Sequence, residues 1–231
     1  MRGYGQFCPV ARGAEIFAER WTPLILRELL QGSRRFSHLL RGLPRISRAL
    51  LAQRLRELER AGVVHVSKAA NGRGREYRLT PAGEELRRVI EALGTWGYRW
   101  AAKDLREDDF DADLLMWFVR RRVQVGNLPE GRRVVIFFRF RGLPKHRYWL
   151  ILSRPEVDLC LFDPGFGVDL EVTADLRTLV QVYLGHVSLV EAVRSGAVEV
   201  SGSVEDRRAL HRWVGISPFA EAETVPVSAS A

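Results

Sequence analysis

The stretch from residue 46 to residue 62, ISRALLAQRLRELERAG, restricts the fold of this chain more than any other part of the sequence. Leu51, Leu55 and Leu58 repeat at the i, i+4, i+7 spacing that places side chains on one face of a helix. The opposite face carries cationic and amide side chains. Taken alone, the pattern is equally typical of an ordinary amphipathic surface helix.

The flanking residues make this helix more specific. Ser47 can accept a hydrogen bond from a free amide of the first turn, and Gly62 can end the helix. Residues 63–68 alternate as a strand, 71–75 form a turn with two arginines, and 76–80 form a returning strand. A helix, a strand, a basic hairpin tip and a second strand are typical of winged helix-turn-helix domains, whose helix enters the major groove while the wing lies along the phosphates.

Helices are also predicted before and after this core. Residues 9–18 and 21–30 form the first two, and Ser37 is expected to cap a third over residues 38–43. Two helices with a short break between them, the second amphipathic and basic, satisfy the helix-turn-helix requirement. After the wing, Thr80 caps a helix predicted to run from Pro81 to residue 100.

The positive charge is confined to the first part of the chain. Residues 1–103 contain 20 Lys and Arg against 9 Asp and Glu, a net charge of +11, whereas the remaining residues contain 16 and 19, a net charge of −3. An arginine-rich proteome would raise the charge of both parts. The asymmetry therefore indicates a polyanionic partner for the first part.

Cysteine content and hydropathy indicate the compartment. The two cysteines, Cys8 and Cys160, make no disulfide framework and fit a reducing cytosol. No apolar run approaches the roughly 20 residues of a membrane span, and the first ten residues lack the apolar core of a signal peptide. We expect a cytoplasmic protein with no membrane partner.

The helix after the wing has more apolar surface than a small domain needs. Leu93, Trp96 and Trp100 are expected to bury this surplus against a second copy of the chain. The alternative is that the same surface packs on a second domain.

Several short motifs, in the same order, carry a resemblance to a known family. They are Cys8-Pro9-Val10, Arg20-Trp21-Thr22, Ile25-Leu26-Arg27-Glu28-Leu29, Arg35-Phe36-Ser37, Leu43-Pro44 with Ile46-Ser47, Leu51 with Gln53-Arg54-Leu55-Arg56-Glu57-Leu58-Glu59, and Tyr77-Arg78-Leu79-Thr80. Over residues 7–102 the chain resembles the HxlR-type winged-helix transcriptional regulators. The resemblance implies a homodimer that binds double-stranded operator DNA. In some members the N-terminal cysteine senses oxidants or electrophiles, and Cys8 occupies that position. The alternative is that Cys8 is a small core residue without a sensing role.

The sequence departs from this family at two places. Residue 49, often a lysine, is Ala49, so the base preference of other members need not apply. Ala18 and Glu19 precede Arg20, where glycines are common.

The candidate DNA-binding residues lie on the predicted helix, its flanks and the wing. Arg48, Gln53 and Arg56 are expected to approach the bases, Arg45 and Ser47 the phosphates, and Arg73 and Arg75 the backbone or minor groove, with Arg35 and Ser37 completing the set.

The second part of the chain predicts a sheet with helices. After an acidic linker at 104–113 and a helix or strand at 114–123, alternating apolar residues predict strands near 134–140, 148–152, 157–161 and 168–172. Helices at 175–183, 189–194 and 204–214 and a fifth strand at 197–201 follow. The expected fold class is α+β: a winged helix-turn-helix domain at 1–103, a domain at 114–216 with a five-stranded sheet covered by helices, and a flexible tail at 217–231.

A second resemblance covers residues 110–215. It is carried by Val172-Thr173-Ala174-Asp175-Leu176, Tyr183-Leu184-Gly185, Ser188-Leu189 with Ala192, Gly196, and Val198-Glu199-Val200-Ser201-Gly202. This segment is similar to the sterol carrier protein type two fold, which implies an apolar tunnel for lipids or acyl chains. Trp117, Phe138, Trp149 and Tyr183 are the candidate ligand-binding residues. The alternative is a closely packed core.

Nothing in the sequence indicates catalysis, a metal site or a cofactor. The five histidines are scattered, and no Walker loop or GxSxG elbow occurs. Asp158, Asp163, Asp169 and Glu171 recur as expected for the solvent face of a sheet. We therefore predict a dimeric DNA-binding regulator whose second domain binds a hydrophobic small molecule. Two alternatives stay open: a second domain that is only a dimerisation or protein-contact module, and a lipid carrier whose basic part binds anionic membranes.

Overall fold

The computed structural model describes residues 3–69, 72–101 and 105–220. The chain divides into two units, residues 1–95 and residues 96–231. The boundary predicted between residues 103 and 104 lies outside the described residues, as do residue 71 of the predicted wing and residues 221–231 of the predicted tail. Within the described residues, no helix combines the length and apolar character needed to cross a membrane.

The first unit has the predicted order of helices and strands. Its elements are α1 (Pro9–Phe17), α2 (Thr22–Leu30), α3 (Phe36–Gly42), α4 (Arg48–Arg60), β1 (Val64–Lys68), β2 (Arg75–Leu79), α5 (Pro81–Glu85) and α6 (Arg87–Trp100). β1 and β2 pair as an antiparallel hairpin. The last turns of α6, from residue 96, belong to the second unit.

The apolar faces of α2 and α4 form the core of the first unit. Ile25 and Leu26 of α2, with Leu51 and Leu55 of α4, belong to one buried cluster. The same spacing that predicted α4 as an amphipathic helix therefore places its apolar face inside the unit.

A buried carboxylate fixes the junction between α2 and α3. Glu28 is fully buried; it accepts hydrogen bonds from Arg27 at 3.1 Å and from Ser33 at 3.2 Å. A Cβ atom added to Gly42 would lie 1.9 Å from Glu28 Oε2, so only glycine fits the end of α3. Two charges and a glycine thus hold the two helices close together.

The predicted caps of the first unit are partly right. Ser47 Oγ accepts from the Leu50 amide at 3.2 Å and Thr80 Oγ1 from the Gly83 amide at 3.2 Å, as expected. Ser37 does not cap α3: Arg35 occupies the N-cap position, in an extended conformation that pairs it with β2 through a bridge to Glu76.

The helix predicted to start at Pro81 is not continuous. It is interrupted at Leu86, whose amide donates to the Gly83 carbonyl oxygen in a tighter turn than that of an α-helix. α5 and α6 are therefore separate helices.

The second unit contains one five-stranded sheet and four α-helices within its described part. The elements are α7 (Ala112–Arg121), β3 (Val134–Phe140), β4 (Arg147–Leu152), β5 (Val157–Cys160), β6 (Leu170–Ala174), α8 (Leu176–Leu184), α9 (Leu189–Arg194), β7 (Val198–Gly202) and α10 (Val204–Trp213). The strand order is β5-β4-β3-β6-β7, in which β3 and β6 are parallel and the other neighbours antiparallel.

The central strands are more buried than predicted. On β3, Val134, Ile136 and Phe138 join the core that packs against the helices, as expected. Val135 of β3 and Ile151 of β4 are also buried, although they point to the other side of the sheet. β3 and β4 therefore bury side chains of both faces, whereas β6 alternates between buried and half-buried residues.

The boundaries of the second unit also differ from prediction. α7 begins at Ala112, because Asp111 Oδ1 accepts from the Leu114 amide at 2.9 Å, so the predicted linker contains a helix cap. At the other end, Ser217 is buried and its amide donates to the Tyr183 carbonyl oxygen at 2.7 Å. The first residues of the predicted tail are thus packed.

Candidate nucleic-acid interface and apolar cavity

The polar face of α4 is presented to solvent by the burial of its leucines. Arg48, Gln53 and Arg56 are all exposed on this helix. Ser47, before its first turn, uses its hydroxyl to cap the helix. The exposed face therefore offers two guanidinium groups and one amide to a ligand, which are groups that hydrogen-bond to base edges.

A network of charged side chains lies beside this face. Gln53 Nε2 donates to Glu57 Oε1 at 2.9 Å, and Arg54 Nη1 donates to Glu57 Oε2 at 2.6 Å. Arg54 is also held by the Arg20 carbonyl oxygen, at 3.2 Å from Nε, and by Glu19, at 2.7 Å from Nη2. Burial raises the pKa of Glu57, but the bonds from Gln53 and Arg54 outweigh it and hold this pKa below its usual range.

Sequence reasoning did not find this network. The i, i+4 spacing of Gln53 and Glu57 and the i, i+3 spacing of Arg54 and Glu57 are the signals that could have indicated it.

The wing is tied to the start of α3. Arg35 Nη1 donates to the Arg73 carbonyl oxygen at 2.9 Å, and Arg35 Nη2 lies 3.6 Å from Glu76. The side chains of Arg73 and Arg75 are exposed, and Gly72 and Gly74 adopt positive φ at the tip. Arg35 therefore supports the wing while its own side chain is half-buried.

All nine predicted DNA-binding residues lie in the first unit. Eight are exposed, namely Ser37, Arg45, Ser47, Arg48, Gln53, Arg56, Arg73 and Arg75. They come from α3, α4, the connection between these helices, and the hairpin of β1 and β2.

An apolar stripe remains uncovered on α6. Val89, Leu93, Trp96 and Trp100 follow helical spacing, and Trp96 retains 59% of its surface exposed. Other α6 side chains are buried: Tyr98 packs within the second unit, where its hydroxyl donates to the Leu184 carbonyl oxygen. The stripe and the buried side of α6 are thus distinct surfaces.

The second unit contains an apolar cavity of about 320 Å³ between its sheet and its helices. Aliphatic side chains from α7, β6, α8 and α10, such as Leu115, Val172, Val182 and Leu210, form much of its wall. The cavity exposes little polar surface, which suits an apolar ligand better than a charged one.

Two of the four predicted ligand-binding residues line this cavity. Phe138 and Tyr183 do so. Trp117 and Trp149 are not among the lining residues in the described part of the chain. Trp149 stacks on Phe137, with ring centroids 4.6 Å apart, on the other side of the sheet, and Trp117 lies under the guanidinium of Arg121 at 4.5 Å.

Sequence reasoning also missed part of the cavity wall. Val214, Gly215 and Ile216 follow α10 and line the cavity. Gly215 donates to the Arg122 carbonyl oxygen, which holds this segment beside α7. No sequence pattern distinguishes these residues from the beginning of the tail.

The last predicted site residue is Cys8. Cys8 precedes α1, is half-buried and has a free thiol; its carbonyl oxygen accepts from the Arg12 amide at 3.1 Å. Among the residues that the structure describes, no three His, Cys, Asp or Glu side chains are grouped so that they could hold a metal ion.

Comparisons with known proteins agree with the geometry of the first unit. Residues 16–105 match the model of the HxlR-like helix-turn-helix family. The uncharacterized HTH-type transcriptional regulator YvaP of Bacillus subtilis (strain 168) is 36% identical over 97 residues, which are 41% of this chain and 90% of that protein. An uncharacterized HTH-type transcriptional regulator of Synechocystis sp. is 35% identical over 112 residues, covering 48% of this chain and 80% of that protein.

The chain is also similar to a solved structure, the reduced form of the transcriptional regulator YodB from B. subtilis. The two are 28% identical, and the match covers 43% of this chain and 100% of that chain with a TM-score of 0.38.

Proposed function

Because this chain belongs to the HxlR-like helix-turn-helix family of transcriptional regulators, we propose that it binds operator DNA through α4 and the wing, as a dimer, under control of an apolar small molecule. The observation that supports DNA binding is that Arg48, Gln53 and Arg56 are exposed on a helix whose Leu51, Leu55 and Leu58 are buried in the core. In this arrangement α4 enters the major groove, and the wing arginines contact phosphates.

The net charge of the first part supports this assignment. The excess of cationic side chains there favours a polyanionic partner such as DNA. Each contact between such a side chain and a phosphate would release a counterion. The test is selection of bound duplexes from a random pool by the full chain, followed by titration of the selected duplex at several salt concentrations. Specific binding with a steep salt dependence is expected. Equal affinity for selected and unrelated duplexes would refute operator recognition.

The dimer is supported by the stripe on α6. Four large apolar side chains at helical spacing are exposed, although burial of each stabilises a protein by roughly 1.5–3 kcal/mol. The same helix from a second copy is the occupant proposed here, since paired stripes are self-complementary about a two-fold axis. Two copies would then read half-sites about 34 Å apart on the DNA.

The effector is supported by the cavity. Its volume falls in the range typical of ligand sites, and its walls come from the sheet and helices of the second unit. We propose Phe138 and Tyr183 as ligand contacts; of the four predicted residues, these two line the cavity. The ligand class is a lipid or acyl chain.

Cavity filling tests the effector proposal. Leu189 lines the cavity on α9, whereas Val193 of the same helix does not. Dodecanoic acid should raise the Tm of the parent and of Val193→Trp but not of Leu189→Trp, and should change operator affinity only where it binds. If dodecanoic acid and other apolar probes at millimolar concentration bind none of the three, the second unit is a contact module.

A further inference from the structure

The network beside α4 restricts how one base-reading side chain can be oriented. Glu57 is held by Arg54, whose three guanidinium nitrogens bind Glu57, Glu19 and the Arg20 carbonyl oxygen. Arg54 and Glu57 are mostly buried side chains, with 13% and 19% of their surface exposed. The carboxylate therefore presents its second oxygen to Gln53 from a fixed position.

The chemistry of the pair decides which end of the Gln53 amide faces the carboxylate. An ionised carboxylate only accepts hydrogen bonds, so Gln53 must donate to it through Nε2. One Nε2 hydrogen and the Oε1 oxygen remain for another partner. Rotation of the amide by 180° would place two oxygens in contact and is disfavoured.

We propose that Glu57 fixes the Gln53 amide in the orientation that reads adenine in the major groove and thereby excludes guanine at that base pair. Adenine offers the N6 amino donor to Oε1 and the N7 acceptor to the remaining Nε2 hydrogen. Guanine offers O6 in place of the amino group, and this acceptor would face Oε1. The inference rests on the proposed function, which places α4 in the major groove. Glu57 is a positioning residue and touches no base.

Replacing Glu57 with glutamine is expected to reverse the orientation of the Gln53 amide. In Glu57→Gln, the new amide keeps its oxygen on Arg54 and turns its amino group toward Gln53. Gln53 then gives its oxygen to residue 57 and presents its amino group to the groove, where it matches the O6 and N7 acceptors of guanine.

The experiment uses the full chain and duplexes selected from a random pool. The parent should prefer adenine over guanine at one position of each half-site by about 10-fold, within the discrimination expected of one bidentate contact. Gln53→Ala should lose this preference. Glu57→Gln should lower the adenine-to-guanine ratio by about 10-fold or more while binding its preferred duplex within about 3-fold of the parent. Glu59→Gln, an equal charge change at an exposed position of α4, should leave the ratio unchanged.

Each other outcome has a distinct meaning. If Glu57→Gln keeps the adenine preference that Gln53→Ala loses, Gln53 reads the base without Glu57 and the inference is wrong. If Gln53→Ala keeps every base preference, Gln53 does not read a base, and the inference fails while DNA binding stands. If the parent selects no duplex, the proposed function itself fails. A loss of Tm in Glu57→Gln would not alter a base ratio, so the ratio separates positioning from stability.

Discussion

The hydroxyl of Tyr98 donates a hydrogen bond of 2.8 Å to the carbonyl oxygen of Leu184, the last residue of α8. The Tyr98 ring also lies 5.8 Å from that of His186, and its burial raises the Tyr98 pKa. The next residue, Gly185, lines the apolar cavity. The final turns of α6 are therefore attached to the cavity wall, within the second unit.

This attachment predicts a coupling defect. Tyr98→Phe keeps the ring and removes the hydroxyl, so the Leu184 carbonyl loses a partner at a cost of about 1 kcal/mol. We expect the ligand to influence DNA binding through α6, so dodecanoic acid should still bind to this variant, but its effect on operator affinity should fall severalfold. Operator titrations with and without the acid measure this. Tyr4→Phe, at an exposed tyrosine, is the control. If dodecanoic acid changes operator affinity equally in the two variants, the ligand does not act through the Tyr98 hydrogen bond.

The wing predicts a salt effect. Replacing Arg73 and Arg75 with glutamine should weaken binding to all duplexes and lower the salt slope by up to ~2 units, since each phosphate contact releases about one counterion. The bond from Arg35 goes to the Arg73 main chain and should persist. Replacing the exposed Arg194 and Arg207 of the second unit gives the charge-matched control. Parallel salt plots for both pairs would exclude the wing from the interface.

The α6 stripe predicts the oligomeric state. Trp96→Glu places a charge at the most exposed position of the stripe, and it should convert the dimer to a monomer at micromolar concentration because a buried, unpaired charge opposes association. Sedimentation equilibrium measures the mass. Val204→Glu, at an exposed apolar residue of the second unit, should leave the dimer intact. If the parent chain is itself a monomer at this concentration, the proposed dimer is wrong.

The ion pair between the buried Asp206 and the partly exposed Arg132 predicts acid sensitivity of the second unit. Both Nη atoms of Arg132 donate to Asp206 at 2.8 Å, and these bonds hold the pKa of Asp206 below its usual range. A lowered pKa adds stability above the value in the unfolded chain, roughly 3.9, and this stability is lost as pH falls through the lower folded value.

Asp206→Asn should therefore lower the free energy of unfolding by about 2 kcal/mol at neutral pH and flatten its decline below about pH 4. Denaturant titrations at several pH values measure both changes. Glu199→Gln, at an exposed partner of Arg141, should change little. If the free energy of unfolding of Asp206→Asn falls at low pH as steeply as that of the parent, other carboxyl groups cause the decline.

Cys8 predicts a redox response. Its thiol is free and stands where α1 begins. Cys8→Ser should keep operator affinity, because only a sulfur atom changes, and should abolish release of the operator by diamide. Cys160→Ser, in β5, should respond like the parent. Release of the Cys8→Ser variant by diamide would leave Cys8 without a sensing role.

Local signals predicted most of the elements. Ser47 and Thr80 cap α4 and α5 as predicted, because a hydroxyl side chain just before a helix satisfies one of its first free amides. The strands of the second unit were also found within a few residues, since apolar alternation continues along each one.

Features that depend on distant residues were missed. Arg35 rather than Ser37 starts α3, because a bridge to Glu76 in the wing holds Arg35 extended. This outcome requires knowledge of which segments meet in three dimensions. Trp149, by contrast, misses the cavity for a local reason, because strand alternation turns it to the face opposite Tyr148, where Phe137 lies.

The candidate site divides in the same way. The helical spacing of the α4 leucines predicts which side chains of this helix are exposed. The position of Glu57 depends on Arg54, and Arg54 is held partly by Glu19, in the connection before α2. A helix pattern contains no information about that contact.

The parallel pairing of β3 with β6 has a consequence for biosynthesis. The meander of β3, β4 and β5 needs only contacts between consecutive segments, whereas β6 must return past two strands to reach β3. On the ribosome, β3 therefore emerges with one edge of its backbone unpaired until β6 follows, and this strand with mostly apolar side chains is open to pairing with other nascent chains. Chaperone dependence during translation should accordingly be concentrated in the interval between the release of residue 140 and that of residue 174.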